Sequence, residues 1–131
     1  MKNIILILMI SLTTTISFSQ SELQESTNSN NNILAVTYRL YPTKNMWNFI
    51  KLNTRTGQMW QVQFDVEGSN RFETNLNYYP LVEKEKQLDN RFKLYPTQNS
   101  WNFLLLDQID GKTWQVQWSL EAENRVVIPI D

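Results

Sequence analysis

Large apolar and polar side chains alternate with a period of two through residues 34–77, and the same alternation returns through 91–130. Segments such as Trp47-Asn48-Phe49 and Trp60-Gln61-Val62-Gln63-Phe64 place every second side chain on one face of a pleated chain. The residues are the aromatic and β-branched types that suit strands, and helical spacing is absent. The pattern predicts four strands per unit, near 34–41, 47–53, 59–67 and 71–77, then near 91–95, 101–107, 113–121 and 125–130.

The two units are copies. Residues 38–71 align with 92–125 without a gap at an offset of 54, and 17 of the 34 pairs are identical. LYPT at 40–43 returns at 94–97, WNF at 47–49 returns at 101–103, and WQVQ at 60–63 returns at 114–117. Duplication at this period implies two equivalent structural units. Turn chemistry sets their registers. Asn53 to Gln58 and Asp107 to Lys112 fit four-residue hairpin loops with Gly57 and Gly111 in the left-handed position that a Cβ disfavours. Pro42 to Asn45 and Pro96 to Asn99 fit a similar loop with Asn in that position, and 68–70 and 122–124 make shorter ones.

These registers give each unit two distinct faces. A tryptophan face carries Tyr38, Leu40, Trp47, Phe49, Trp60, Val62, Phe64, Val66, Phe72 and Leu76 in the first unit. In the second it carries Phe92, Leu94, Trp101, Phe103, Leu105, Trp114, Val116, Trp118, Leu120, Val126, Ile128 and Ile130. A one-residue slip would scatter either set. One meander with one apolar face cannot stand alone, so the two tryptophan faces are expected to bury each other. The expected fold is all-β: two tandem four-stranded antiparallel meanders forming a pseudo-twofold sandwich or an eight-stranded barrel. A propeller-like arrangement is the rival, and two blades would need further copies to close it. The crossover, 78–90, contains Glu83-Lys84-Glu85-Lys86, which either holds a short helical turn or passes over one end. The register also sets Glu67 opposite Arg71 and Glu121 opposite Arg125, two expected cross-strand ion pairs.

The opposite, amide face repeats as closely. Arg39, Tyr41, Asn48, Gln61 and Gln63 in the first unit correspond to Lys93, Tyr95, Asn102, Gln115 and Gln117 in the second. Amides that donate and accept at once, beside an aromatic ring, suit a neutral hydroxyl-rich ligand, so a glycan or cell-envelope polymer is the sharpest ligand expectation for these ten residues. Ile50, Leu52, Met59, Leu104 and Leu106 share the face and make it amphipathic, which equally suits an envelope protein partner or another copy of the chain. Asn and Gln are also ordinary on the solvent side of antiparallel strands.

The flanks bear on location. Lys2 precedes an apolar and hydroxyl-rich run from Ile4 to Phe18, and Ser17-Phe18-Ser19 supplies small residues where a signal peptidase reads. Residues 1–19 are therefore expected to be a signal peptide cleaved before Gln20, leaving no membrane span and a secreted or periplasmic product. A spanning helix needs about 20 apolar residues, more than this run supplies. The SFSQ ending resembles export signals of the Bacteroidetes group. Residues 20–32 are Ser, Asn, Gln and Glu with almost nothing apolar, an expected disordered tether. Residues 33–131 then form one domain of two repeats, 33–77 and 91–131, joined by 78–90.

Composition narrows the chemistry. There are no His and no Cys, which removes the commonest general base, the thiol nucleophile, disulfides and most transition-metal sites. The remaining candidates for carboxylate chemistry are Asp65, Glu73, Asp107 and Asp110, and a polysaccharide hydrolase built on two of them is the most distant reading. The Asp107 to Gly111 loop has two carboxylates, too few for Ca²⁺. No enzyme activity, cofactor or metal is expected. Formal net charge is −1 with no basic cluster, which argues against nucleic acid.

The hairpins LNTRTGQMWQV and LDQIDGKTWQV resemble a short motif of small bacterial and phage repeat proteins, in which an Asp-Thr-x-Thr-Gly turn precedes Trp. The first copy has Asn53 for Asp, and the second keeps Asp107 and Gly111 but replaces both threonines. The resemblance implies hairpin geometry and no assigned activity.

Overall fold

The computed structural model describes residues 35–131, so the expected leader, its cleavage site and the tether lie outside the described residues. Eight strands follow in order: β1 (Tyr38–Pro42), β2 (Asn48–Asn53), β3 (Met59–Gln63), β4 (Phe72–Asn77), β5 (Phe92–Pro96), β6 (Asn102–Asp107), β7 (Thr113–Gln117) and β8 (Val126–Ile130). They form two separate antiparallel meanders, β1-β2-β3-β4 and β5-β6-β7-β8, with no strand pairing that would close a barrel. The crossover holds a 3₁₀ turn at Lys84–Lys86. Among the described residues no helix is long and apolar enough to cross a membrane.

The glycine hairpins form as their chemistry dictates. Gly57 and Gly111 sit at φ +76° and +72°, and their N–H groups donate to Asn53 O and Asp107 O at 3.0 and 2.9 Å. The β1–β2 and β5–β6 loops use another device. Asn45 and Asn99 are not left-handed; their Oδ1 atoms instead accept the N–H groups of Trp47 and Trp101 at 3.0 and 2.8 Å. Such Asx turns reverse the chain without a positive φ.

Strands β3 and β7 end earlier than expected, because Asp65 and Ser119 turn the chain out of the ladder. Asp65 accepts the N–H groups of Glu67 and Asn70, and Ser119 Oγ accepts that of Glu121. Side chains of this kind compete with strand pairing for backbone groups. Arg71 and Arg125 then donate to the carbonyls of Asp65 and Ser119 at 3.1 and 2.8 Å, and the expected Glu67–Arg71 and Glu121–Arg125 ion pairs do not form. The longer loops shift the register of the fourth strand of each meander by three residues, an odd number that turns it over. Phe72 pairs with Gln63 and Val126 with Gln117, so Phe72, Leu76, Val126, Ile128 and Ile130 lie on the amide face rather than the tryptophan face.

The two sheets pack face to face, as a sandwich of tandem meanders, but unlike faces meet. The second sheet buries its tryptophan face, with Phe92, Leu94, Phe103, Leu105, Trp114, Val116 and Trp118 all in the core. The first sheet buries its amide face, through Ile50, Leu52, Met59, Asn48 and Gln61. The pseudo-twofold pairing of two tryptophan faces is thereby corrected. Polarity explains the choice: the first tryptophan face carries Lys51, Glu73 and Asn75 where the second has Leu105, Val127 and Pro129. Burying it would desolvate an ion pair, a cost of several kcal/mol per charge, whereas the buried amides satisfy each other. The crossover fixes this geometry through Leu81 N–Thr56 O at 2.7 Å, Asn90 N–Thr54 Oγ1 at 2.9 Å and Phe92 N–Thr54 O at 2.8 Å. Each large apolar side chain so enclosed contributes on the order of 1.5–3 kcal/mol.

Candidate functional site

The repeated amide set takes up similar positions in both sheets and is then used differently. In the first sheet Gln61 Nε2 donates to Asn48 Oδ1 at 3.0 Å, Asn48 Nδ2 to Gln63 Oε1 at 3.3 Å, and Gln63 Nε2 to Asn70 O at 2.9 Å. In the second, Gln115 Nε2 donates to Asn102 Oδ1 at 3.0 Å and Gln117 Nε2 to Asn124 O at 2.9 Å. Cross-strand register aligns these groups, since Asn48 pairs with Gln63 and Asn102 with Gln117. Gln63 and Gln117 thus hold the loop that precedes the fourth strand.

Accessibility separates the copies. Asn48 and Gln61 are 1% and 0% exposed, sealed under the second sheet, and Tyr41 packs against the core with its hydroxyl 3.5 Å from the Leu94 N–H. Arg39 stays exposed and donates to Asn90 Oδ1 at 3.3 Å. The first unit therefore does not present its five residues together to solvent. In the second unit Lys93, Tyr95 and Gln115 are exposed and Asn102 and Gln117 half-buried. Lys93 Nζ lies 5.0 Å from the centre of the Tyr95 ring. Ile128 and Ile130, each half exposed, join Leu104 on this outer face.

The tryptophan face of the first sheet is the other open surface, one that sequence reasoning assigned to the core. Tyr38, Leu40, Trp47 and Phe64 are exposed there, at 38–60%. Trp47 and Phe49 flank Phe64 with ring centres 5.2 and 6.1 Å away. Lys51 crosses the middle of the face, 4.8 Å from the Trp60 ring centre and 2.5 Å from Glu73 Oε1. Of the five tryptophans, Trp114 and Trp118 are core residues, while Trp47 and Trp101 are exposed and Trp60 half-buried. The one signal that could have exposed the error is Lys51 interrupting a face whose copy is apolar at Leu105.

A buried charge cluster lies where the repeats join. Arg91 grips Asp107 through Nε–Oδ1 at 3.0 Å and Nη2–Oδ2 at 2.8 Å, reaches Asp110 Oδ2 at 2.7 Å, and donates to Lys86 O at 2.9 Å. Burial pushes the Asp107 carboxyl up, but the Arg91 guanidinium and the N–H groups of Ile109 and Asp110 outweigh it and hold the carboxyl below the usual range. The hydrogen bond to Asp107 raises the Arg91 pKa further above its ordinary value. The four candidate catalytic carboxylates are all engaged: Asp107 and Asp110 on Arg91, Glu73 on Lys51, and Asp65 on two backbone N–H groups. Those N–H groups, Glu67's foremost, hold the exposed Asp65 carboxyl low against a smaller opposing effect of desolvation. Among the described residues no three His, Cys, Asp or Glu side chains gather in a metal-binding group.

The surface grooves are open. A groove of about 550 Å³ runs under the crossover between Leu81, Lys84 and Lys112, and one of about 540 Å³ lies between Arg39, Tyr41, Lys93 and Gln108. No family model, curated protein or solved structure matches this chain.

Proposed function

We propose that this chain is an exported, non-enzymatic binding module whose partner is a protein, engaged through the outer faces of its two sheets. The observation that carries the reading is the open tryptophan face of the first sheet, whose copy in the second sheet is the core. Exposed aromatic and aliphatic residues that cluster on one sheet face are the composition of an interface centre. The commitment of every candidate carboxylate to an ion pair or a turn supports the non-enzymatic part, and the leader sequence supports export.

A glycan-binding reading draws on a different observation, the accessible Tyr95, Asn102, Gln115 and Gln117 of the second sheet. It competes with a protein partner for the same outer face. The test is a panel of bacterial and host glycans, with Q115A/Q117A as control, set beside retention of envelope proteins on the immobilised chain. Retention lost in L40E or L104E supports the protein-partner reading. Sugar binding by the monomer that Q115A/Q117A abolishes replaces it with a lectin, and release of reducing ends from a polysaccharide overturns the non-enzymatic assignment.

A further inference from the structure

We infer that the partner is a second copy of this chain, joined head to tail: the outer amide face of one copy's second sheet seats on the outer tryptophan face of the next copy's first sheet. The inference rests on the reading of these outer faces as protein-interaction surfaces.

The chain already contains this interface once. Its sheets meet as unlike faces, amide side of the first against tryptophan side of the second, so the contact is heterologous and leaves one complementary half unused at each end. Because the repeats share their strand registers apart from a bulge at Met59, the unused halves are copies of the used ones. Ile50, Leu52 and Gln61, all sealed inside, have Leu104, Leu106 and Gln115 as their outward counterparts. On the other side Leu94, Phe103 and Trp118 are in the core, and Leu40, Phe49 and Phe64 are their counterparts at the free end.

Polar detail points the same way. Gln61 and Gln115 make the same 3.0 Å bond to their neighbouring Asn, which engages the amide nitrogen and leaves the amide oxygen as an acceptor. In Gln61 that oxygen accepts Ser119 N at 3.3 Å across the interface. Asp65 is the counterpart of Ser119 on the free face, so Gln115 of one copy would accept the Asp65 N–H of the next. Tyr41 Oη receives the Leu94 N–H at 3.5 Å, and Tyr95 with Leu40 would repeat that contact. A glycan or an unrelated protein explains neither match.

The free contact is more polar than the internal one. Lys51 and Glu73 replace Leu105 and Val127, so the association is reversible and concentration-dependent while the internal packing is permanent. Repetition of a heterologous contact closes into a ring if its rotation divides the circle and otherwise grows as a filament. Rings of four-stranded sheets hold about four to eight sheets, which corresponds to roughly two to four copies of this chain.

The test is sedimentation of the full chain, processed by a host that exports it, from about 1 μM to about 1 mM. It is run beside L40E, which spoils the free tryptophan face, and L104E, which spoils the free amide face. Both leucines point outward, at 60% and 41% exposure, and near-UV circular dichroism checks that each variant keeps its core. Y38E and I128K substitute for either variant that fails to fold. The wild-type mass is expected to rise with concentration, and each single variant to stay monomeric. An equimolar mixture of the two is expected to form a dimer and stop, because one intact half remains on each partner. A wild type that stays monomeric overturns the inference, as does a variant pattern in which only one face matters, which marks a symmetric dimer. If the monomer still retains an envelope protein that L40E or L104E loses, the interaction reading survives with a different partner. If it retains none, both fall.

Discussion

Asp107→Asn isolates the charge at the junction of the repeats. Asparagine keeps an oxygen for the Ile109 and Asp110 N–H groups, as Asn53 does for Arg55 N in the first repeat at 3.0 Å, so the turn itself should survive. What is lost is the anion against the Arg91 guanidinium, whose side chain is 3% exposed. Breaking a buried pair costs about 3–5 kcal/mol. Asp110 remains on Arg91, but its own side chain is 42% exposed, so the lower end, about 3 kcal/mol, is expected. For a domain of this size that lowers Tm by about 12–24 °C. Guanidinium unfolding followed by fluorescence of the buried Trp114 and Trp118 measures it. R91M/D107N removes both charges and should cost less than the sum of R91M and D107N. Additivity within about 0.5 kcal/mol would refute the assignment, because groups that do not interact add. The same pair sets an acid limit. The folded Asp107 carboxyl titrates below its unfolded value of about 3.9, so its stabilisation is complete above that pH and is lost as pH falls through the folded pKa. D107N should flatten that part of the profile.

Three further outcomes follow from the repeat comparison. G111A should cost about 1–2 kcal/mol for the left-handed backbone alone, whereas G57A should cost more in the same melt, since its Cβ would lie 2.7 Å from Leu81 Cδ1. K51L/E73V, which gives the free tryptophan face the residues of its buried copy, should strengthen self-association by about 1–4 kcal/mol in sedimentation. Intact mass of the exported chain should correspond to Gln20–Asp131; a product that retains residues 1–19 would refute the leader assignment.

Strand number, order and hairpin positions were legible in the sequence because they depend on local chemistry. Period-two alternation and the two glycine turns are each encoded within a few residues, and both recur. The loops before β4 and β8 were less legible. Their length depends on Asp65 and Ser119 capturing backbone N–H groups, and a register shift of three residues moved Phe72 and Val126 to the other face. Which faces meet was the least legible feature. Both faces of both sheets carry apolar side chains, and the decision rests on Lys51, Glu73 and Asn75 against Leu105, Val127 and Pro129, three side chains in two otherwise equivalent sheets.

The meeting of unlike faces has a physical consequence. Had like faces met, the contact would be isologous and a two-sheet chain would be satisfied, with both amide faces turned to solvent. Stacking unlike faces cannot satisfy a lone two-sheet chain, since each addition regenerates the ends it covers until a ring closes. Selection for a solitary module would be expected to make both end faces polar. The first sheet has taken one step in that direction through Lys51 and Glu73, yet keeps Tyr38, Leu40, Trp47 and Phe64 exposed around them. The free amide face keeps Leu104, Ile128 and Ile130. An end face that is tempered but still apolar is what reversible stacking requires: enough area to associate when copies are concentrated, and enough charge to separate when they are not.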